Sequence, residues 1–164
     1  MQHKNRGKDF EFVVRECFEN IPNTSVYRIP DQMSYMSGSK NPCDLLIYHK
    51  PILYAIECKA TNQHSLPFAN ISEYQWTELL KMSKVEGVVA GIMCWYVNDD
   101  KTLFIPIQFL ETLKQNGAKS IRYDADDPSI ITIEGVKKRV FWNYDFQQFF
   151  LSNEQILSEI IKEK

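Results

Sequence analysis

Asn41-Pro42-Cys43-Asp44 and, a short apolar stretch later, Ile56-Glu57-Cys58-Lys59 bring together the residue types that phosphoryl chemistry uses. On a β-strand alternate side chains share a face. Glu57 and Lys59 therefore point the same way, roughly 7 Å apart, with Ile56 and Cys58 turned to the other side. The intervening chain reads as a hairpin, strands over 43–48 and 52–59 joined by His49-Lys50-Pro51. With the loop centred between Lys50 and Pro51, His49 falls opposite Ile52, Leu46 opposite Ala55, and Asp44 opposite Glu57. Opposed residues hold their Cβ atoms about 5 Å apart on one face. Two carboxylates so placed repel each other unless a cation lies between them. Hard oxygen ligands suit Mg²⁺, which keeps several waters and leaves room for a phosphate; Mn²⁺ is the other candidate.

The chemistry implied is metal-assisted phosphodiester hydrolysis. The metal polarises the phosphate and acidifies a water. Lys59 stands where an ammonium can hold that water or neutralise the developing charge. Glu-x-Lys by itself is ordinary on a solvated strand. What distinguishes this instance is Asp44, the apolar flanks and the order of elements around it.

Those elements can be read in turn. Phe10, Val13, Val14, Cys17 and Phe18 form the apolar stripe of a helix over 8–20, stopped before Pro22-Asn23. A short strand over 25–29 follows, then a polar loop over 30–42. After the hairpin, Ser72 caps a helix running to about residue 83, with Trp76, Leu79 and Leu80 on one side. The nearly continuous apolar run over 87–96 suits a central strand covered on both faces. Asn98-Asp99-Asp100 turns into a strand over 102–105, and a helix over 107–115 ends at Asn116-Gly117. Residues 130–133 and 139–142 read as a hairpin around Glu134-Gly135, and 146–161 as a terminal helix. Helix, three strands, helix, strand predicts an α/β domain with a mixed central sheet flanked by helices.

The 164 residues are enough for one domain with a real core, 44% hydrophobic and 24% charged. No apolar run is long enough to cross a membrane, and the polar N-terminus lacks a signal-peptide pattern, so a cytoplasmic location with no membrane partner is expected. Cys17, Cys43, Cys58 and Cys94 lack zinc-site spacing and are expected to be buried thiols. The net charge of −2 is unusual for a DNA binder, whose affinity rests on neutralising phosphates. A local basic patch or a bound cation can supply what net charge does not.

The paired segments resemble the P-D…(D/E)-x-K signature of restriction-endonuclease-like nucleases, with one extra residue, Cys43, between proline and aspartate. The αβββαβ order is also that superfamily's core. A closer resemblance is to the RecU-type Holliday junction resolvases, over roughly residues 4–96. It is carried by Asn5-Arg6-Gly7 with Glu11, by Asp44 followed by Glu57-Cys58-Lys59, and by Ser65-Leu66-Pro67-Phe68 leading to Tyr74-Gln75.

The resemblance implies a Mg²⁺-dependent homodimeric endonuclease acting on four-way DNA junctions. Asp44 and Glu57 would be metal ligands, Lys59 the water- or phosphate-contacting group, Glu11 an accessory acid, and Gln75 a positioning residue. Arg6, Lys8, Arg28 and Lys40 are the expected DNA contacts. The segment over 28–43 stands where the family has a longer stalk, and it carries Met33, Tyr35 and Met36 as candidate base contacts. Residues 97–164 would extend the core within a single domain.

Two other readings share these residues: a repair or restriction-type nuclease on duplex or branched DNA, and a non-catalytic DNA- or protein-binding module. The binding module has no need of an acidic pair facing a lysine. Outside the site, Lys137-Lys138-Arg139 is a candidate phosphate grip on a hairpin, Trp95-Tyr96 is expected in the core, and Asp124-Ala125-Asp126-Asp127 reads as a surface turn.

Overall fold

Helix α1 (Arg6–Glu19) opens the computed structural model, which describes residues 5–31 and 40–162. Its start is set by Asn5, whose side chain accepts from the Lys8 backbone N–H, so the helix begins two residues before the first expected position. Phe10, Val14, Cys17 and Phe18 are buried, as their spacing requires. The candidate base contacts Met33, Tyr35 and Met36 lie outside the described residues.

The chain continues through β1 (Thr24–Arg28), β2 (Leu45–His49), β3 (Ile52–Thr61), β4 (Ser65–Pro67), a 3₁₀ turn (Phe68–Asn70), and α2 (Glu73–Ser83). Then come β5 (Val88–Tyr96), β6 (Lys101–Pro106), α3 (Ile107–Gln115), β7 (Ser120–Arg122), β8 (Ile131–Thr132), β9 (Gly135–Lys137), β10 (Trp142–Tyr144) and α4 (Phe146–Lys162). Six strands form one sheet in the order β1-β2-β3-β5-β6-β8. The β3–β5 pair is parallel and its neighbours are antiparallel, the mixed sheet expected from the element order.

Helices cover both faces, and β3 alternates between two cores. Ile56 and Cys58 join Phe10, Phe18, Trp95 and the α4 phenylalanines on one side. Ala55 joins Trp76, Leu79, Ile92 and Leu110 on the other, between the sheet and α2 and α3. The first core is strongly aromatic: Phe18 and Phe146 stack with centroids 3.8 Å apart. All four cysteines are free and buried, as expected. Among the described residues no helix is long and apolar enough to cross a membrane.

The C-terminal third departs from expectation. Residues 130–133 do not form a hairpin with 139–142; β8 instead joins the main sheet, with Leu103 opposite Thr132 and Phe104 opposite Ile131. The hairpin is β9 with β10, turning through Lys138 to Phe141. Ile131 and Ile133 are both buried, so their apolar side is better satisfied on the sheet than on an exposed two-stranded ribbon. Gly135, expected to turn the chain, is instead inside β9, where a Cβ would meet the Asn143 carbonyl oxygen at 2.3 Å.

Candidate active site

The β2–β3 hairpin has the predicted register from His49 opposite Ile52 to Leu45 opposite Ile56. It does not continue to Asp44 opposite Glu57. Asp44 precedes β2, its N–H donating to the Ile56 carbonyl (3.1 Å) and its Oδ2 accepting from the Cys58 N–H (2.8 Å). The side chain thus takes a backbone donor at the end of the ladder. Beside it, Cys43 is fully buried in the core under α2 and anchors the bend.

Glu57 is 3% exposed. Its Oε1 accepts from Lys59 Nζ (2.8 Å) and from Gln75 Nε2 (2.9 Å). Its Oε2 is buried without a hydrogen-bond partner among the described residues. An orphaned carboxylate oxygen is costly unless something absent from the bare chain engages it. Lys59 reaches the cleft with a partly exposed side chain, and the apolar layer around Ile92 and Trp76 shields Glu57 from below.

Gln75 is placed by a capping box at the start of α2. The Ser72 hydroxyl accepts from the Gln75 N–H, and Gln75 Oε1 accepts from the Ser72 N–H. Its amide nitrogen is thereby turned to Glu57. Gln75→Glu keeps the capping chemistry but sets a third acid against Glu57. It is expected to melt within about 3 °C of the parent while losing roughly tenfold or more in single-turnover cleavage. A rate unchanged in that assay would remove Gln75 from the positioning of Glu57.

Burial, and next the Glu57 charge, hold the Asp44 carboxyl well above the usual carboxylate range; Glu11 adds to the effect. Burial pushes the Cys43 thiol up to about 12, which leaves it protonated and inert beside the acids. Asp44, Lys59, Gln75, Lys40 and Asn41 line one open cleft of about 510 Å³. Two neighbouring carboxylates that feel each other's charge, one with a buried oxygen lacking a hydrogen-bond partner among the described residues, fit a hard divalent cation that retains waters. Among the described residues there is no cluster of three or more metal-ligating side chains, so protein ligation would rest on this pair.

The remaining expected residues divide into two groups. Glu11 Oε1 accepts from Arg28 Nε (2.6 Å), Arg28 Nη2 donates to Asp31 (3.1 Å), and Lys8 Nζ lies 3.7 Å from Asp31. These contacts raise the Arg28 pKa, the Glu11 hydrogen bond most of all. Lys40 joins Asp31 on the cleft. Arg6 stands apart, bonding Asn62 beyond the end of β3 (3.1 Å). In the basic run Lys137 bonds Asp100, while Lys138 and Arg139 are exposed in the β9–β10 turn. Trp95 and Tyr96 are core residues, Asp124 is held by Arg122, and Asp127 by Ser129. Sequence reading quoted Asn41 beside Asp44 but gave it no role; its side chain donates to the Pro30 carbonyl (2.8 Å) and ties together the ends of the loop at the cleft, a contact that no local signal marks.

A search of curated proteins returned no match. Among solved structures, the chain is similar to Archaeoglobus fulgidus Hjc, described as a Holliday junction resolvase from an archaeal hyperthermophile. The two are 20% identical, with a TM-score of 0.46 over 62% of this chain and 78% of that one. The family model for recombination protein U matches residues 28–145, more than half of the chain and a span that includes Asp44, Glu57, Lys59 and Gln75. The chain belongs to the RecU family.

Proposed function

We propose that this chain is a divalent-metal-dependent endonuclease that resolves four-way DNA junctions by hydrolysing phosphodiesters in the Asp44–Glu57–Lys59 cleft. The observation that carries the proposal is the buried Glu57 carboxylate, tied through one oxygen to Lys59 and Gln75, its other oxygen without a hydrogen-bond partner among the described residues, with Asp44 held at the adjacent Cys58 N–H and feeling the Glu57 charge. Family membership supports the recombination substrate.

Asp44 and Glu57 would hold Mg²⁺ or Mn²⁺. The ion would supply Lewis-acid polarisation of the phosphate and a more acidic bound water. Hydrolysis forms a bond from water oxygen to phosphorus and breaks one P–O ester bond. Lys59 supplies positive charge beside the phosphate oxygens as they gain negative charge. Gln75 keeps Glu57 in one orientation through the α2 cap. Glu11 is an accessory acid, its charge felt at Asp44 while Arg28 holds its carboxylate. Lys8, Arg28 and Lys40 rim the cleft and would contact phosphates, Lys8 and Arg28 after exchanging their acidic partners for DNA.

Two symmetric nicks require two cleavage sites related by a two-fold axis, so the working species is a homodimer. The test is a labelled four-way junction beside a duplex built from the same arms, in Mg²⁺, Mn²⁺ or EDTA. Paired symmetric nicks confined to the junction and abolished by EDTA are expected. Equal cutting of the duplex would overturn junction selectivity. Tight binding without cutting in either metal would overturn catalysis and leave a DNA-binding module.

A further inference from the structure

The carboxyl ends of the parallel strands β3 and β5 carry a second group of side chains that the cleavage chemistry leaves unused. The chain leaves β3 through Asn62-Gln63-His64 and leaves β5 through Val97-Asn98-Asp99. The two loops are already joined: Val97 N–H donates to the Thr61 carbonyl (2.8 Å), and the Asn98 side chain donates to the Asn62 carbonyl (2.5 Å). On top of these bonds, His64 Nδ1 lies 2.8 and 3.0 Å from the two Asp99 carboxylate oxygens. Asp99 is only 10% exposed in its side chain and His64 is 68% exposed. With Nδ1 turned to the carboxylate, Nε2 is the ring nitrogen left for solvent.

A histidine–carboxylate pair with its imidazole in solvent contributes little to stability, and the backbone here is secured without it. The same loop holds Arg6: one guanidinium nitrogen donates to Asn62 Oδ1, and the other donors of this exposed side chain make no hydrogen bond among the described residues. The neighbouring charges are largely spoken for. Arg122 is bound to Asp124 through two nitrogens, and the Tyr123 ring packs 5.9 Å from the His64 ring. His64 on this secured loop and Arg6 reaching it from α1 thus stand together at the end of the sheet where parallel strands usually present ligands, and the imidazole donates from Nε2 in its protonated form.

We propose that His64, oriented by Asp99, and Arg6, steadied by Asn62, form a second phosphate site that grips the DNA strand away from the scissile phosphate. The site rests on the junction-cleaving reading above. His64 follows Lys59 by five residues, so it lies at most about 17 Å from it along the chain, a distance one strand spans in a few nucleotides. The protonated imidazole offers Nε2–H as a charge-assisted donor, and the groups facing it are Asp99, the Tyr123 ring and, beyond that ring, Arg122.

The test is binding of a fluorescent four-way junction at pH 6 in EDTA, titrated from low to moderate salt, for the parent protein, His64→Gln and His64→Lys. His64→Gln is expected to weaken binding about three- to tenfold at low salt and to reduce the slope of log affinity against log salt by about one. His64→Lys, which keeps a positive charge but loses the orientation that Asp99 gives the ring, is expected to recover the salt slope and only part of the affinity. Parent-like affinity and slope in His64→Gln would overturn the site, as would a His64→Lys variant whose salt slope is no steeper than that of His64→Gln. If the parent protein neither binds nor cuts any branched DNA, the junction reading fails and takes this site with it. If the parent binds and cuts while His64→Gln matches it, only the second site fails.

Discussion

Asp44→Asn is expected to lower single-turnover cleavage by at least about a thousandfold while raising the melting temperature of the metal-free protein by about 3 °C. The first effect follows from removing one of two carboxylates proposed to hold the cation. Lewis-acid stabilisation is worth several kcal/mol of barrier, and each 1.36 kcal/mol is tenfold in rate. The second follows from what the same carboxylate does in the bare protein. Burial and the Glu57 charge both disfavour its ionised form. An asparagine keeps an oxygen for the Cys58 N–H, now 2.8 Å from Asp44 Oδ2, and removes the repulsion. Relief of about 1 kcal/mol corresponds to about 2–4 °C for a domain of this size. Thermal melts in EDTA and in Mg²⁺ separate the two roles. Mg²⁺ should raise the melting point of the parent and leave the variant unmoved. A variant that melts below the parent in EDTA would show that the Asp44 charge stabilises the fold, contrary to this account.

Gly91→Ala is expected to cost about 3 kcal/mol and to lower the melting temperature by roughly 6–12 °C. Gly91 lies in β5 between Ile56 of β3 and Pro106 of β6. A Cβ there would come 2.4 Å from the Ile105 carbonyl oxygen and 2.8 Å from Phe104 Cζ. The Phe104 ring can shift, but the carbonyl belongs to the neighbouring strand and cannot retreat without opening the β5–β6 ladder. Gly117→Ala makes the contrast. Its φ of +90° strains an alanine, yet nothing stands within 4 Å of the added carbon, so a smaller loss of about 1–2 kcal/mol is expected. Chemical denaturation of both variants ranks them. A Gly91→Ala protein as stable as Gly117→Ala would mean that the centre of the sheet yields more easily than its packing suggests. Because Ile92 pairs with Glu57, opening β5 would also loosen the acid, and cleavage should fall more than the folded fraction alone accounts for.

Several features were legible because they are local. The apolar stripe of α1, the Ser72 cap of α2 and the bounds of α3 depend on residues within a turn or two of one another, and each appears where spacing placed it. Hairpin register is nearly as local, so Asp44 could be brought to Glu57 on paper. The last step was not legible: Asp44 abandons the ladder because its own carboxylate competes for the Cys58 N–H, a choice between two acceptors that strand alternation does not encode. The β8 strand was misassigned for a related reason. Its apolar alternation is compatible with any open strand edge, and only the assembled sheet presents β6 as the better one.

Composition and periodicity by themselves determined the order of the core elements from α1 to α3, the two-faced burial of β5, and the approach of an acidic pair and a lysine to one strand end. These follow from which residues are apolar and how often they recur. That β3 is covered on both faces emerged only in the assembled fold. Tertiary structure alone decided that Gln75 restrains Glu57, that Lys8 and Arg28 already hold acidic partners, and that His64 meets Asp99 across two loops. Each of these contacts joins residues from separate elements. Periodicity states which face of an element must be covered, but the covering element and the waiting counter-ion depend on how distant faces close together in space.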